Sequence, residues 1–367
     1  MSELNNTIKM PCFSGLINLG NTCFINACIQ VLCQISKLEE IYIYSFKKNK
    51  KPNTPESEFI KGWFALYKLM QKTNGTISPN KFISDVQRLA KLKKYDLFTG
   101  YSQNDINEFI ILFINTFHSA ISREIDIEII GSSENKTDEV ALLCYGMLKE
   151  TYKKEYSEIM ELCYGIYVSK ISGINETIHS LKPENFFILD LPIPISEHTK
   201  STTRSHHKTG LVNTLNSEGE QHCNLYDCFD LFVQDEVIEG WFNEKTLRNE
   251  TIHKNILFWN FPNLLIISLK RFSPCGSYKV NNLVNFPFYL NLSKYVIGYN
   301  PNKYIYKLCG VCNHTGNHMG GHYTSFACNS ITDEWYHYND ESISKIENTE
   351  QIITPAAYCL FYTIISS

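Results

Sequence analysis

The chain has 367 residues, 43% hydrophobic and 20% charged, enough apolar material for a large core and an ordinary balance for a globular protein. With 34 basic against 38 acidic residues and a formal net charge of −4, it lacks the strong field that attracts nucleic acid or an anionic membrane surface, so a protein or small-molecule partner is expected. No apolar run suggests a spanning helix and MSELNNTIKM holds no signal-peptide core, so the 13 cysteines are expected as thiols in an intracellular, cytoplasmic or nuclear, monomeric protein without membrane insertion.

The first informative stretch runs from Gly15 to Leu32, GLINLGNTCFINACIQVL. Its glycines and asparagines demand a turning backbone, and Phe24, Ala27, Cys28, Val31 and Leu32 then recur with helical spacing. Cys23 therefore falls in the first turn of a helix, where unpaired amides and the positive end of the dipole favour a nucleophilic thiolate. Asn18, on the preceding loop, is a candidate side-chain donor to an oxyanion, with the Cys23 backbone N–H as a second. Cys28 and Cys33 read as core residues. FIKGWFALYKLM and INEFIILFINTF predict two further helices, with a break at Pro79 and Asn80 and with Asp105 as the cap of the second. Gly131 to Asp138 reads as a loop, followed by a helix over ALLCYGMLKETYKKEY.

From Ile166 onward, short runs rich in Val, Ile, Tyr and Phe predict strands: FFILDLPI, ILFWNF, NLLIISLKRF, YIYKLCGVC, HYTSFACN, EWYHYN and YCLFYTII. The polar stretch Ser196 to Gln221 reads as an exposed insertion. Helices first and strands later predict an α+β architecture with the helices on one side of a sheet.

A cysteine nucleophile needs a base, and His322 follows Gly320 and Gly321 at the start of the strand HYTSFA, where two glycines admit a close backbone and the strand fixes the imidazole. Asn339 or Asp340, one hairpin later, is placed to hold its tautomer. His314 and His318 are expected in a solvated loop, because Gly316, Gly320 and Gly321 disfavour the helix that a metal cluster would need.

These segments closely resemble the Cys and His boxes of the ubiquitin-specific proteases, which share the order Cys, His, Asn with papain-like enzymes. SQNDINEFI, LIISLKRF, KVNNLVNFPFYLNLSKY and AYCLFY resemble further segments of the family core, so the resemblance covers about Cys12 to Thr363. It implies a single catalytic domain over residues 10–365 of papain-like fold: a helical thumb (about 10–164), β fingers (about 165–258, with the insertion 196–221) and a palm sheet (mainly 259–365). It further implies a deubiquitinase that acts on ubiquitin and ubiquitinated proteins, in which Cys23 is the nucleophile, His322 the base and acid, and Asn339 its orienting partner. Asn18 would be the oxyanion donor and Asp340 an assisting acid. Asp105, Gly320, Gly321 and Tyr323 would receive a substrate tail that is basic and then ends in two glycines.

The family's two zinc knuckles are missing: Gly173, Glu176, Asn243 and Thr246 stand at the four ligand positions. No metal or cofactor is expected, and the fingers are expected to be held by apolar packing alone. Cys309 and Cys312 form a CxxC within a strand, where i and i+3 face opposite sides. Cys223 and Cys228 are expected as buried thiols. A non-catalytic ubiquitin-binding scaffold and a protease for a ubiquitin-like modifier are the alternatives.

Overall fold

The computed structural model describes residues 13–194, 222–273, 278–317 and 320–365. The insertion at 196–221 and His318 lie outside the described residues.

Four helices of the first half fall where periodicity places them, α1 (Cys23–Leu32), α2 (Pro55–Lys72), α4 (Ile106–Ile121) and α5 (Lys136–Tyr152), and a further one, α3 (Asn80–Lys93), begins at the break marked by Pro79 and Asn80. Their starts follow from caps. Thr54 accepts from the Ser57 N–H ahead of a first-turn proline in α2, and Asp105 accepts from the Asn107 N–H at 2.7 Å in α4. Asn135 caps α5 through the Asp138 N–H, so the helix opens inside the segment expected as a loop. Every residue of α1 is buried, because it lies between the other helices and the main sheet.

The longer strands, of five or more residues, are β1 (Gly165–Gly173), β2 (Ile178–Phe186), β3 (Ile188–Pro192), β4 (Glu236–Asn243), β5 (Arg248–Asn260), β6 (Leu264–Lys270), β7 (Ile305–Asn317), β8 (Gly320–Cys328), β9 (Trp335–Asn339), β10 (Ser342–Ile346) and β11 (Ala357–Ile364). The main sheet runs β10-β9-β8-β7-β11-β6-β3, and a second, antiparallel sheet runs β2-β1-β5-β4. β6 and β11 are almost continuously apolar because the main sheet is covered on both faces. Leu264 and Ile266 join the helices in one cluster, while Leu265 and Ile267 join a second cluster on the opposite face. A Cβ on Gly310 would sit 2.3 Å from the Val31 side chain, so glycine there lets α1 lie directly on β7. The second cluster includes a helix that the sequence reading missed, α6 (Leu225–Val233), begun by a reciprocal cap between Asn224 and Asp227. Cys223 and Cys228 flank that cap, both buried.

Two expectations need correction. A β-bulge between Leu308 and Gly310 breaks the alternation of β7, so Cys309 packs against the same cluster as Cys312. The two thiols still point to separate partners, the carbonyls of Phe361 and Ala27. The second sheet is also not held by apolar packing alone. At its tip Glu250 accepts from Asn243 Nδ2 at 3.0 Å and from Thr246 Oγ1 at 2.5 Å. His179 lies 3.7 Å from the same carboxylate and stacks on Trp241. A hydrogen-bonded cluster thus fixes the hairpin where thiolate ligands are absent, and among the described residues no group of three metal-ligating side chains occurs.

Candidate active site

Cys23 is the first residue of α1, preceded by Thr22 rather than by a side-chain cap. It is buried, and the burial pushes its thiol above the ordinary value. The Tyr323 backbone amide opposes the rise and the nearby Asp340 adds to it. The helix start therefore does not by itself generate a resting thiolate, as the sequence had suggested. Desolvation outweighs the amides, and the proton must be taken by a base.

The candidate for that base, His322, stands on β8, against which α1 packs. His322 Nε2 lies 2.7 Å from Asn339 Oδ1 across the β8–β9 hairpin. An amide oxygen only accepts, so the neutral ring carries its proton on Nε2 and leaves the Nδ1 lone pair free. Asp340 Oδ2 is 4.0 Å from the same nitrogen, so the hydrogen bond to the ring is made by Asn339 and not by Asp340.

Asp340 does something else. Its carboxylate accepts from Asn18 Nδ2 at 2.9 Å and from Asn26 Nδ2 at 2.8 Å, and its backbone oxygen accepts from the Leu16 N–H at 2.9 Å. It therefore ties the loop before α1, and α1 itself, to the hairpin that carries Asn339. Asn18 Oδ1 in turn receives the N–H groups of Gly20 and Thr22, each at 3.1 Å, and shapes the turn that delivers Cys23. One of the two Asn18 amide hydrogens is used by Asp340, so the side chain is oriented while a donor is kept. The sequence reading missed Asn26, whose signal is that it and Gln30 are the two polar residues on a buried, otherwise apolar helix.

Beside these groups lies a cavity of about 340 Å³ lined by Gln103, Asp105, Phe272, His314, Gly321 and Tyr323, with Gly320 also on its wall. Asp105 has both oxygens engaged, one by the α4 cap and one by Tyr358 Oη at 2.7 Å, and burial raises its carboxyl above the usual range. A Cβ on Gly321 would meet His314 Nε2 at 2.3 Å and the Thr315 oxygen at 2.4 Å, so the narrow wall requires glycine. Gln103 bridges the cleft: its Nε2 donates to the Gly321 oxygen at 2.7 Å, and the Gly321 N–H donates to its Oε1 at 2.9 Å. A second cavity of about 460 Å³, sharing Asp105 and Phe272, adds Glu108 and Asp190. Gln103, Glu108 and Asp190 were not singled out from the sequence, although Gln103 and Glu108 flank Asp105 in the same motif.

His314 is the clearest displacement from expectation. It lies in β7, only 4% exposed, its ring 4.7 Å from that of Tyr323. Aromatic residues from distant segments enclose it, which no local loop signal reveals.

A buried helix-start cysteine, on a helix packed against the strand whose imidazole is held by an asparagine, with a helical layer on a mixed sheet, defines the papain-like class of cysteine hydrolase folds. Within that class the chain belongs to the ubiquitin carboxyl-terminal hydrolase family, whose model matches residues 14–362. It is 29% identical over 370 residues to ubiquitin carboxyl-terminal hydrolase 2 of Bos taurus, spanning 96% of this chain and 55% of that protein. It is 27% identical over 358 residues to ubiquitin carboxyl-terminal hydrolase Usp2 of Drosophila melanogaster, spanning 95% of this chain and 34% of that one. The chain thus spans about half or less of the length of these curated relatives. Its fold matches the SAGA DUB module with Ubp8 bound to monoubiquitin at a TM-score of 0.70 and 22% identity, covering 99% of this chain and 73% of that one.

Proposed function

We propose that this chain, as one catalytic unit over residues 10–365 with thumb, fingers and palm, hydrolyses isopeptide and peptide bonds at the C-terminal glycine of ubiquitin. The observation that carries the reading is the His322–Asn339 contact of 2.7 Å on the strand packed against the helix that Cys23 begins. His322 Nδ1 takes the Cys23 proton as the sulfur attacks the glycine carbonyl, and the imidazolium then protonates the departing lysine amine. Water, deprotonated by the same ring, releases the acyl group. Asn339 keeps the proton-accepting nitrogen turned to the cleft. Asn18 Nδ2 and the Cys23 backbone N–H stabilise the oxyanion, while Asp340 positions the Cys23 loop.

Substrate selection follows from the cleft. Asp105, Glu108 and Asp190 offer carboxylates to a basic tail, and Gly320, Gly321 and Tyr323 narrow the path to glycine. The reading places the protein inside the cell, cytoplasmic or nuclear, as a monomer with ubiquitin and ubiquitinated proteins as partners. No helix among the described residues is long and apolar enough to cross a membrane. The test is cleavage of a ubiquitin–lysine isopeptide by the chain and by Cys23→Ala, beside a panel of ubiquitin-like conjugates. Turnover confined to ubiquitin and lost in Cys23→Ala supports the reading. Binding without turnover supports the scaffold, and preference for another modifier redirects the specificity.

A further inference from the structure

The cleft contains an interaction that the scheme above does not use. Lys279 Nζ lies 2.9 Å from His314 Nδ1 and 2.6 Å from the His314 backbone oxygen. Lys279 is held in place by a short antiparallel link, with the Val280 N–H donating to the Arg271 oxygen at 2.7 Å and the Arg271 guanidinium returning a bond to the Val280 oxygen at 2.9 Å. The His314 backbone is equally fixed, its N–H donating to the Ala356 oxygen at 2.8 Å.

An ammonium has three donors and no acceptor, so the imidazole nitrogen facing it must be the unprotonated one. The remaining proton of the neutral ring then sits on Nε2. That nitrogen lies against Gly321, at the place a side chain would fill, and the ring lines the 340 Å³ cavity. Phe272, Tyr323 and Tyr358 surround the rest of the ring, with centroids at 5.5, 4.7 and 6.1 Å. Burial and the neighbouring Lys279 charge lower the His314 pKa to about 4, which keeps it a neutral, single-tautomer donor at physiological pH.

We propose that Lys279 is a positioning residue that locks His314 as its Nε2–H tautomer, and that this N–H donates to a backbone carbonyl of the glycine tail of the substrate. The inference rests on the deubiquitinase reading for the identity of the tail. A glycine segment has no side chain to recognise, so a donor aimed at its backbone, beside a wall that only glycine fits, is a means of selecting it.

The test uses the chain as it stands. Imidazole 15N spectra of the substrate-free protein are expected to show His314 protonated at Nε2, and Lys279→Met is expected to give a mixture of tautomers. His314→Phe keeps the ring packing and removes the donor. With a ubiquitin C-terminal fluorogenic amide it is expected to raise KM about tenfold, the size of one lost hydrogen bond, with kcat within about twofold. Lys279→Met shifts KM in the same direction, Lys279→Arg restores it in part, and alkylation of Cys23 by iodoacetamide is unchanged in all three. A wild-type ring protonated at Nδ1 overturns the inference without any substrate. A KM within about twofold of wild type in both His314→Phe and Lys279→Met overturns it as well. Wild-type inactivity toward the ubiquitin amide is the failure of the deubiquitinase reading, and the spectra then decide the inference alone.

Discussion

Asn18 Nδ2 donates to Asp340 Oδ2 at 2.9 Å, joining the loop before the helix that Cys23 begins to the hairpin turn that follows Asn339. The same carboxylate receives Asn26 from inside α1. Two halves of the site, 322 residues apart in sequence, are thus held by one side chain.

Removing it should therefore loosen the site and destabilise the fold together. Asp340→Ala leaves two partly buried amides without their charged acceptor, a cost of roughly 2–3 kcal/mol by the usual strength of such bonds. Urea denaturation should show the loss and steady-state kinetics a fall in kcat of at least about tenfold. An unchanged kcat would place Asp340 outside the positioning network.

Gly321→Ala should block the cleft. The added methyl meets a backbone oxygen at 2.4 Å and His314 Nε2 at 2.3 Å, so β8 must shift next to His322. The expected outcome is loss of most kcat/KM toward ubiquitin substrates, measured beside a thermal melt that separates the effect from unfolding.

Acid should destabilise the protein through His314. Its pKa falls from the ordinary 6.5 to about 4 in the folded chain, so the unfolded state binds more protons between those values and stability rises with pH across that window. Lowering the pH from 6.5 toward 4 should cost up to about 1.4 kcal/mol per pH unit from this residue, and His337, lowered by burial, acts in the same direction. The groups around His314 are Lys279, with Arg271 behind it, Tyr323, Tyr358 and the Asp105 that Tyr358 contacts. Urea midpoints across this range should show a flatter acid limb in His314→Phe.

The tip of the second sheet should be independent of zinc. Metal analysis of the purified chain should find well under one zinc per molecule. Glu250→Ala should speed amide exchange around Asn243 to Glu250, because Asn243 and Thr246 lose their common acceptor. One tightly bound zinc per chain would contradict this description.

Much of this was readable in the sequence because the signals are local. The glycine and asparagine turn before an apolar helical repeat placed Cys23 at a helix start, and the glycine pair placed His322 at the start of a strand, which in the structure already begins at Gly320. What escaped depends on tertiary context. The polar, glycine-rich surroundings of His314 read as a loop, although a period of 2 from the inward-facing Cys312 points it into the core. The bulge that turns Cys309 has no separate signal beyond Gly310. The helix Leu225–Val233 is too short for its periodicity to stand out, and only its Asn224 and Asp227 caps mark it. Glu250 could not be paired with Asn243 and Thr246 until the β4–β5 hairpin register was known.

The central claim is that Cys23 is the nucleophile for the ubiquitin C-terminal glycine. Incubating the chain with ubiquitin that carries a C-terminal electrophile, and mapping the product by peptide mass analysis, tests it most directly. One adduct per chain on Cys23, absent from Cys23→Ala and strongly slowed in His322→Ala, is the predicted result. No adduct with the wild-type chain, or one that persists in Cys23→Ala, would contradict the account.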